Sequence, residues 1–210
     1  MIRMSFLSVA LIGLIASVPS LIAAQQEKSE PPPRPAVEEH KGPPPGAMGQ
    51  FELSSSALTN GGELPNDLKC TRHGGDGLSP PLEWLGAPDN TGGFAIVMQH
   101  YPRGRFPGVD SPSHYWLVWD IPASTSRVER GNPDSFGNEG SDKDKRRTGY
   151  TPPCSPDDSV GKHTYTITVY AVDGPLEALP ENDDPAIVWD DMMEALKGHV
   201  LNAASLSFTD

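Results

Sequence analysis

The sequence predicts a mainly β domain that carries one helix near its end. Three observations carry this. Runs of Val, Ile, Tyr, Trp and Thr recur at Phe94–Gln99, His114–Ile121 and Thr164–Val172, the composition that suits a pleated, half-buried surface. Pro and Gly, 23 and 21 of 210 residues, separate these runs at turn-like spacing. A single stretch, Ile187, Met192, Leu196, Val200 and Leu201, repeats at helical period.

Residues 1–24 precede the domain. Arg3 supplies a positive start, Phe6–Val18 an apolar run, Pro19 and Ser20 a break, and Ala23-Ala24 small residues before Gln25. This is the pattern of a cleaved export signal, and Pro19 shortens the run below the ~20 apolar residues of a spanning helix. Residues 25–48 contain seven prolines and no aromatic side chain. Such a segment cannot bury enough apolar surface to offset its ordering entropy and reads as a disordered tether. Residues 49–210 then fit one domain with one sizeable core.

Within the domain, Phe51–Leu53 begins as a short strand, and Asn60-Gly61-Gly62 turns. Leu64–Leu68 leads into Cys70, and His73-Gly74-Gly75-Asp76-Gly77 forms a loop. Ser79–Trp84 starts a strand after a Pro-Pro stop. In His114–Pro122 large apolar groups occupy both alternating sets, with Tyr115, Leu117, Trp119 and Ile121 on one face and His114, Trp116, Val118 and Asp120 on the other. A strand of that kind is covered on both sides. Residues 127–149 form a long, polar, Gly-rich loop. Thr164–Val172 alternates cleanly. Asp183 or Asp184 caps the helix with Pro185 in its first turn, Gly198 ends it, and Ala204–Phe208 is the last strand.

The net charge of −12 excludes a general nucleic-acid or anionic-membrane binder, which needs a basic face. Any anion site must be local. The basic run Lys143, Lys145, Arg146 and Arg147 is interrupted by Asp142 and Asp144 and reads as a solvated loop. Cys70 and Cys154 are the two cysteines, and in an exported chain they form a disulfide.

His100, His114 and His163 fall at strand ends beside Tyr101, Tyr115 and Tyr165. Imidazoles and phenols converging at a sheet rim can hold a phosphate or carboxylate through several hydrogen bonds. A zinc site, with Asp110 as a fourth ligand, is not expected, because HxH and HExxH spacings are absent. Catalysis is not expected either. There is no GxSxG elbow, Ser111 and Ser113 flank a proline, and Cys154 before His163 sits among prolines and in the expected bridge. No P-loop or dinucleotide motif occurs, so no cofactor is expected.

Read in order, FELSSSAL, LSPPLEW, FAIVM, HYWLVWDIP, GYTPPCSP, HTYTITVYAVD and GHVLNAASL resemble the phosphatidylethanolamine-binding protein family. The similarity is to its bacterial YbhB/YbcL-like, Raf-kinase-inhibitor-like branch, and it spans residues 50–210. The resemblance implies two antiparallel sheets, a short C-terminal helix, and an anion pocket at one end. It also implies ligands of the phosphate, phosphoethanolamine or acetate type, and for some relatives a protein partner. A macromolecular inhibitor acting through the pocket rim and the 127–149 loop is therefore the alternative to a small-anion binder. Membrane contact beyond head-group binding is not expected.

The family pattern places ligand-binding residues at His163, Tyr165 and Pro153, with Pro152 where Gly is usual. The leading Asp of the family's DPDAP motif falls at His100, in a run that reads QHYPRG, and the family's pocket His aligns with Tyr115. His114 is one position earlier, on the opposite face by alternation. Replacing a carboxylate by an imidazole removes an acceptor for an ammonium and favours a bare anion.

Overall fold

The computed structural model describes residues 50–132, 136–155 and 162–210. The export signal expected over 1–24 and the tether expected over 25–48 lie outside the described residues.

The elements run β1 (Glu52–Ser54), β2 (Gly62–Glu63), β3 (Leu82–Leu85), β4 (Gly93–His100), β5 (Ser113–Pro122), β6 (Arg127–Val128), β7 (Asn138–Glu139), β8 (Thr164–Val172), α1 (Trp189–Leu196) and β9 (Val200–Thr209). They form a three-stranded sheet, β1-β3-β6, and a six-stranded sheet, β2-β9-β8-β4-β5-β7. Pairing is antiparallel throughout except for β2 with β9, which is parallel.

Strands β4, β5 and β8 are apolar on both faces because both faces are covered. Phe94, Ile96, Met98, Val118, Ile167 and Leu206 pack against Phe51, Leu82, Trp84 and Val128 of the small-sheet side. On the reverse, Ala95, Val97, Leu117, Trp119 and Val172 pack against Leu176 and against Met192, Ala195 and Leu196 of α1. Each such side chain removed from water contributes about 1.5–3 kcal/mol, which is why these strands lie at the centre of the sheet.

Simple alternation along β5 fails in two places. Met98 pairs with Trp116 and Gln99 with His114, so Tyr115 is an extra, bulged residue; a second irregularity lies between the pairs Phe94–Ile121 and Ile96–Val118. Asp120 sits in that second bulge at φ +54°. Its carboxylate accepts from the Leu176 N–H (3.0 Å) and from Asn138 Nδ2 (3.4 Å). Bulges re-aim the residues that follow. As a result Tyr115, Trp116, Val118 and Ile121 all enter the core between the sheets, while Leu117 and Trp119 face the helix.

The helix begins later than its sequence suggests. Asp184 accepts from Ala186 N–H in a separate turn (2.8 Å), the chain then extends at Val188, and Asp191 accepts from Val188 N–H (3.0 Å) to start α1. Asp190 and Asp191 suit its positive end. Gly198, at φ +86°, follows its end, and Val200 and Leu201 belong to β9. The 127–149 stretch is partly strand: β6 extends the small sheet, β7 extends the large one, and Ser141 bridges to Thr148.

Candidate functional site

At one end of the large sheet β4 finishes and β8 begins, with His100 opposite Tyr165. His163 stands one residue before β8, its backbone exchanging hydrogen bonds with that of Asp210. The two imidazoles meet edge to face, centroids 4.9 Å apart. His100 Nδ1–H donates to the Thr164 carbonyl (3.0 Å). A carbonyl only accepts, so this bond leaves His100 Nε2 as the lone-pair nitrogen. That nitrogen lies 3.2 Å from His163 Nδ1, which donates to it. His163 Nε2 is then the remaining nitrogen of the pair. Burial foremost holds the His100 imidazole below its ordinary range, against the Thr164 bond and with the His163 and Lys143 charges adding.

Below the pair lies an aromatic wall. Tyr165 packs on His100 (centroids 5.0 Å), edge-on to Tyr115 (5.0 Å), and stacks on Phe208 (5.6 Å). Ser155 Oγ lies 3.2 Å from Tyr165 Oη. Burial pushes both phenols above the usual range, so they remain neutral.

The other walls are held by the bridge and by Asp210. Cys70 and Cys154 form the disulfide, and Cys70 N–H donates to the Pro153 carbonyl (3.0 Å). This brings Arg72, on the short turn Thr71–His73, beside the Thr151–Ser155 segment. That turn needs small residues after it: a Cβ on Gly75 would lie 1.9 Å from the Lys69 carbonyl oxygen. Arg130 pairs with Asp67 and Asp76 and fastens the same loop. The largely buried Asp210 carboxylate pairs with Lys69 (2.9 Å) and accepts from Ser155 N–H (3.2 Å).

Lys143 closes the fourth side. Its ammonium lies 5.8 Å from the Tyr115 ring centroid, near enough for a cation–π contact. Its backbone N–H donates to Thr151 Oγ1 (3.0 Å). The turn carrying it is tight because Asp142 binds Arg146 N–H and the Arg147 guanidinium. Those bonds outweigh the effect of burial and hold the Asp142 carboxyl below the ordinary range.

Together these groups surround a cavity of about 410 Å³. Of the residues singled out in the sequence, His100, His163, Tyr115 and Tyr165 line it. His114 is buried on the other side of β5, and Pro153 lies behind the lining, which takes Pro152 instead. The sequence reading missed Arg72, Thr151 and Ser155, and took Lys143 for a solvated loop residue. The expected bridge was the usable signal, since pairing Cys70 with Cys154 necessarily carries Arg72 toward residues 151–155. Among the described residues, Cys70, His73 and Cys154 have ligand-type atoms within 4.8 Å of one another. With the sulfurs bonded to each other neither is a thiolate, the form a metal requires.

A family model described as phosphatidylethanolamine-binding protein matches residues 54–209. A UPF0098 protein of Methanothermobacter thermautotrophicus is 29% identical over 163 residues, which cover 74% of this chain and 95% of the relative. In solved structures, the CT736 homolog from Chlamydia trachomatis is 26% identical with a TM-score of 0.63, covering 76% of this chain and 96% of that one. Escherichia coli YbcL gives the same TM-score and coverage at 20% identity, a likeness of fold.

Proposed function

The chain belongs to the phosphatidylethanolamine-binding protein family, and from that premise we propose that it is an exported, non-enzymatic domain that binds a small phosphate- or carboxylate-type anion at the end of its large sheet. One observation carries the reading. In a chain of net charge −12, Arg72, Lys143 and the His100–His163 pair converge with two phenols on one cavity. Asp144 is the single carboxylate among the described residues of that lining, and it pairs with Lys143 (3.6 Å). Charge-assisted donors arranged around a concave site suit an oxyanion. The apolar run at residues 6–18 and the Cys70–Cys154 bridge support export, because disulfides persist in oxidising compartments.

His100 refines the ligand. Its only lone pair is occupied by His163, so the nitrogen left to a ligand is His163 Nε2, an acceptor in neutral imidazole and a donor to an oxyanion in imidazolium, and neither ring is a carboxylate for an ammonium. A bare phosphate or carboxylate is favoured over a zwitterionic head group. Protonating His100, whose imidazole burial holds below its ordinary range, adds positive charge to the site, so binding weakens as pH rises through its titration.

Calorimetric titration of the protein with phosphate, phosphoethanolamine and acetate tests this. Saturable phosphate binding, weakened about tenfold or more in both His163→Ala and His100→Ala, is expected. Sulfate, whose charge is fixed between pH 5.5 and 8, should bind more weakly at the upper end. Tighter phosphoethanolamine than phosphate binding contradicts the ligand preference, and no saturable binding of any anion overturns the reading.

A further inference from the structure

The disulfide does more than tie two walls of the cavity together, because one of its sulfur-bearing residues belongs to the lining. Cys154 lines the cavity and is partly exposed. Cys70 is buried, 7% exposed, and is not among the described lining residues. The bridge therefore presents Cys154 to the cavity and keeps Cys70 behind it. A thiolate opens a disulfide by attacking one sulfur and displacing the other, and access decides which is attacked. Here access singles out Cys154 and makes Cys70 the leaving group.

Both sides of such an exchange are furnished. Behind the bridge, His73 has a ligand-type nitrogen within 4.8 Å of both sulfurs, and an imidazole this close favours the thiolate form of a departing sulfur. The Cys70 backbone is held at three points. Its N–H donates to the Pro153 carbonyl (3.0 Å), and its carbonyl accepts from the N–H groups of His73 (2.9 Å) and Gly75 (3.2 Å). None of these bonds uses sulfur, so the two cysteines are still neighbours when the bridge first opens, and return attack by Cys70 is intramolecular. In front of the bridge, Arg72, Lys143 and the imidazole pair share the lining with Cys154. An anion drawn to that lining is carried to the side from which Cys154 is reached.

We propose that the bridge is an exchange-reactive site, and that the molecule recognised is a small thiol carrying an anionic group, which is captured on Cys154. This rests on the reading of the cavity as an anion site. The ligand thiolate forms a bond to Cys154 Sγ, the Cys70–Cys154 bond breaks, and its electron pair leaves on Cys70 Sγ, which then takes up a proton. The products are a mixed disulfide at Cys154 and a thiol at Cys70. The reverse attack by Cys70 restores the bridge and releases the ligand thiol, so the exchange needs no other oxidant or reductant.

The test uses the full chain in its bridged form and three small thiols: anionic mercaptoacetate, neutral mercaptoethanol and cationic cysteamine. Ionic strength is held with chloride. Each opening rate is divided by the rate of the same thiol with a small neutral disulfide, which removes differences in thiol reactivity. On that scale mercaptoacetate should exceed mercaptoethanol about tenfold or more, with cysteamine slowest. Phosphate should compete with mercaptoacetate, and Lys143→Ala should shrink its advantage. Peptide mass spectrometry after alkylation should find mercaptoacetate on Cys154 and the alkyl group on Cys70. Saturable phosphate binding by calorimetry together with equal scaled rates, with no opening by any thiol, or with the adduct on Cys70 overturns this proposal alone. Absence of saturable anion binding brings down the cavity reading and this one with it.

Discussion

His114 shows how a single side chain can cost stability while shaping the pH response. It is buried, its Nε2 has no partner among the described residues, and burial holds its imidazole below the ordinary range despite the pull of the Asp142 backbone. His100 is held down for the same leading reason. Both groups bind protons more readily unfolded than folded, so stability is fully present above the ordinary histidine value of 6.5 and is lost as pH falls below it. Thermal melts should therefore show a lower midpoint at pH 5.5 than at pH 7.5, and His114→Gln should shrink that difference. An unchanged slope in the variant would assign the effect elsewhere. At Tyr115 the expected change is functional: Tyr115→Phe removes a hydroxyl from a cavity-lining residue but keeps the ring under Lys143. It should weaken phosphate binding by less than about tenfold, whereas Lys143→Ala removes the charge and should weaken it more.

At the scale of elements, the segment after His163 and the last residues of β9 act as a frame. Asp210 joins Lys69, Ser155 and the His163 backbone, tying the chain end to the 69 region and to both ends of the 155–163 stretch. Removing one partner of a largely buried ion pair costs about 3–5 kcal/mol, so Asp210→Ala should lower the unfolding free energy read from urea denaturation by that order. It should also weaken anion binding, because two cavity walls lose their tie. The bulge at Asp120 makes a sharper case. Asparagine tolerates left-handed backbone but keeps only one of the two acceptor oxygens, so Asp120→Asn should cost about 0.5–1.5 kcal/mol, whereas Asp120→Val should lose about 1–3 kcal/mol from strain alone. These features also mark where the sequence stopped being readable. Strands β4, β5 and β8 were legible because apolar residues fill both of their faces, and Gly198 was a sound end for the helix. The bulges were not, since they exist only in the pairing between β4 and β5 and leave no composition signal. The helix start was misjudged because Asp184 and Pro185 satisfy a turn as well as a cap. Arg72 was invisible because a bridge, and no local pattern, brings it to the cavity.

Over the whole molecule, the cavity depends on closures between distant segments. The disulfide spans 84 residues of sequence, and a loop of that size restricts the unfolded chain by about 4–5 kcal/mol in the chain-entropy model. Paired Cys70→Ser and Cys154→Ser substitutions should thus lower stability by about 2–5 kcal/mol. They should also reduce anion affinity, since both Arg72 and residues 151–155 lose their anchor. Reduction of the wild type by a thiol should do the same. The parallel pairing of β2 with β9 has a different consequence. Strand β9 is late in the chain, yet it lies between β2 and β8, and its neighbour Asp210 completes the site. While a ribosome is still making residues 200–210, the segment 62–63 has no strand to join and β8 has an open edge. Non-local pairing of this kind folds slowly. The nascent chain therefore remains threadable until synthesis of the domain is nearly finished, which is the state that passage through a narrow membrane pore demands.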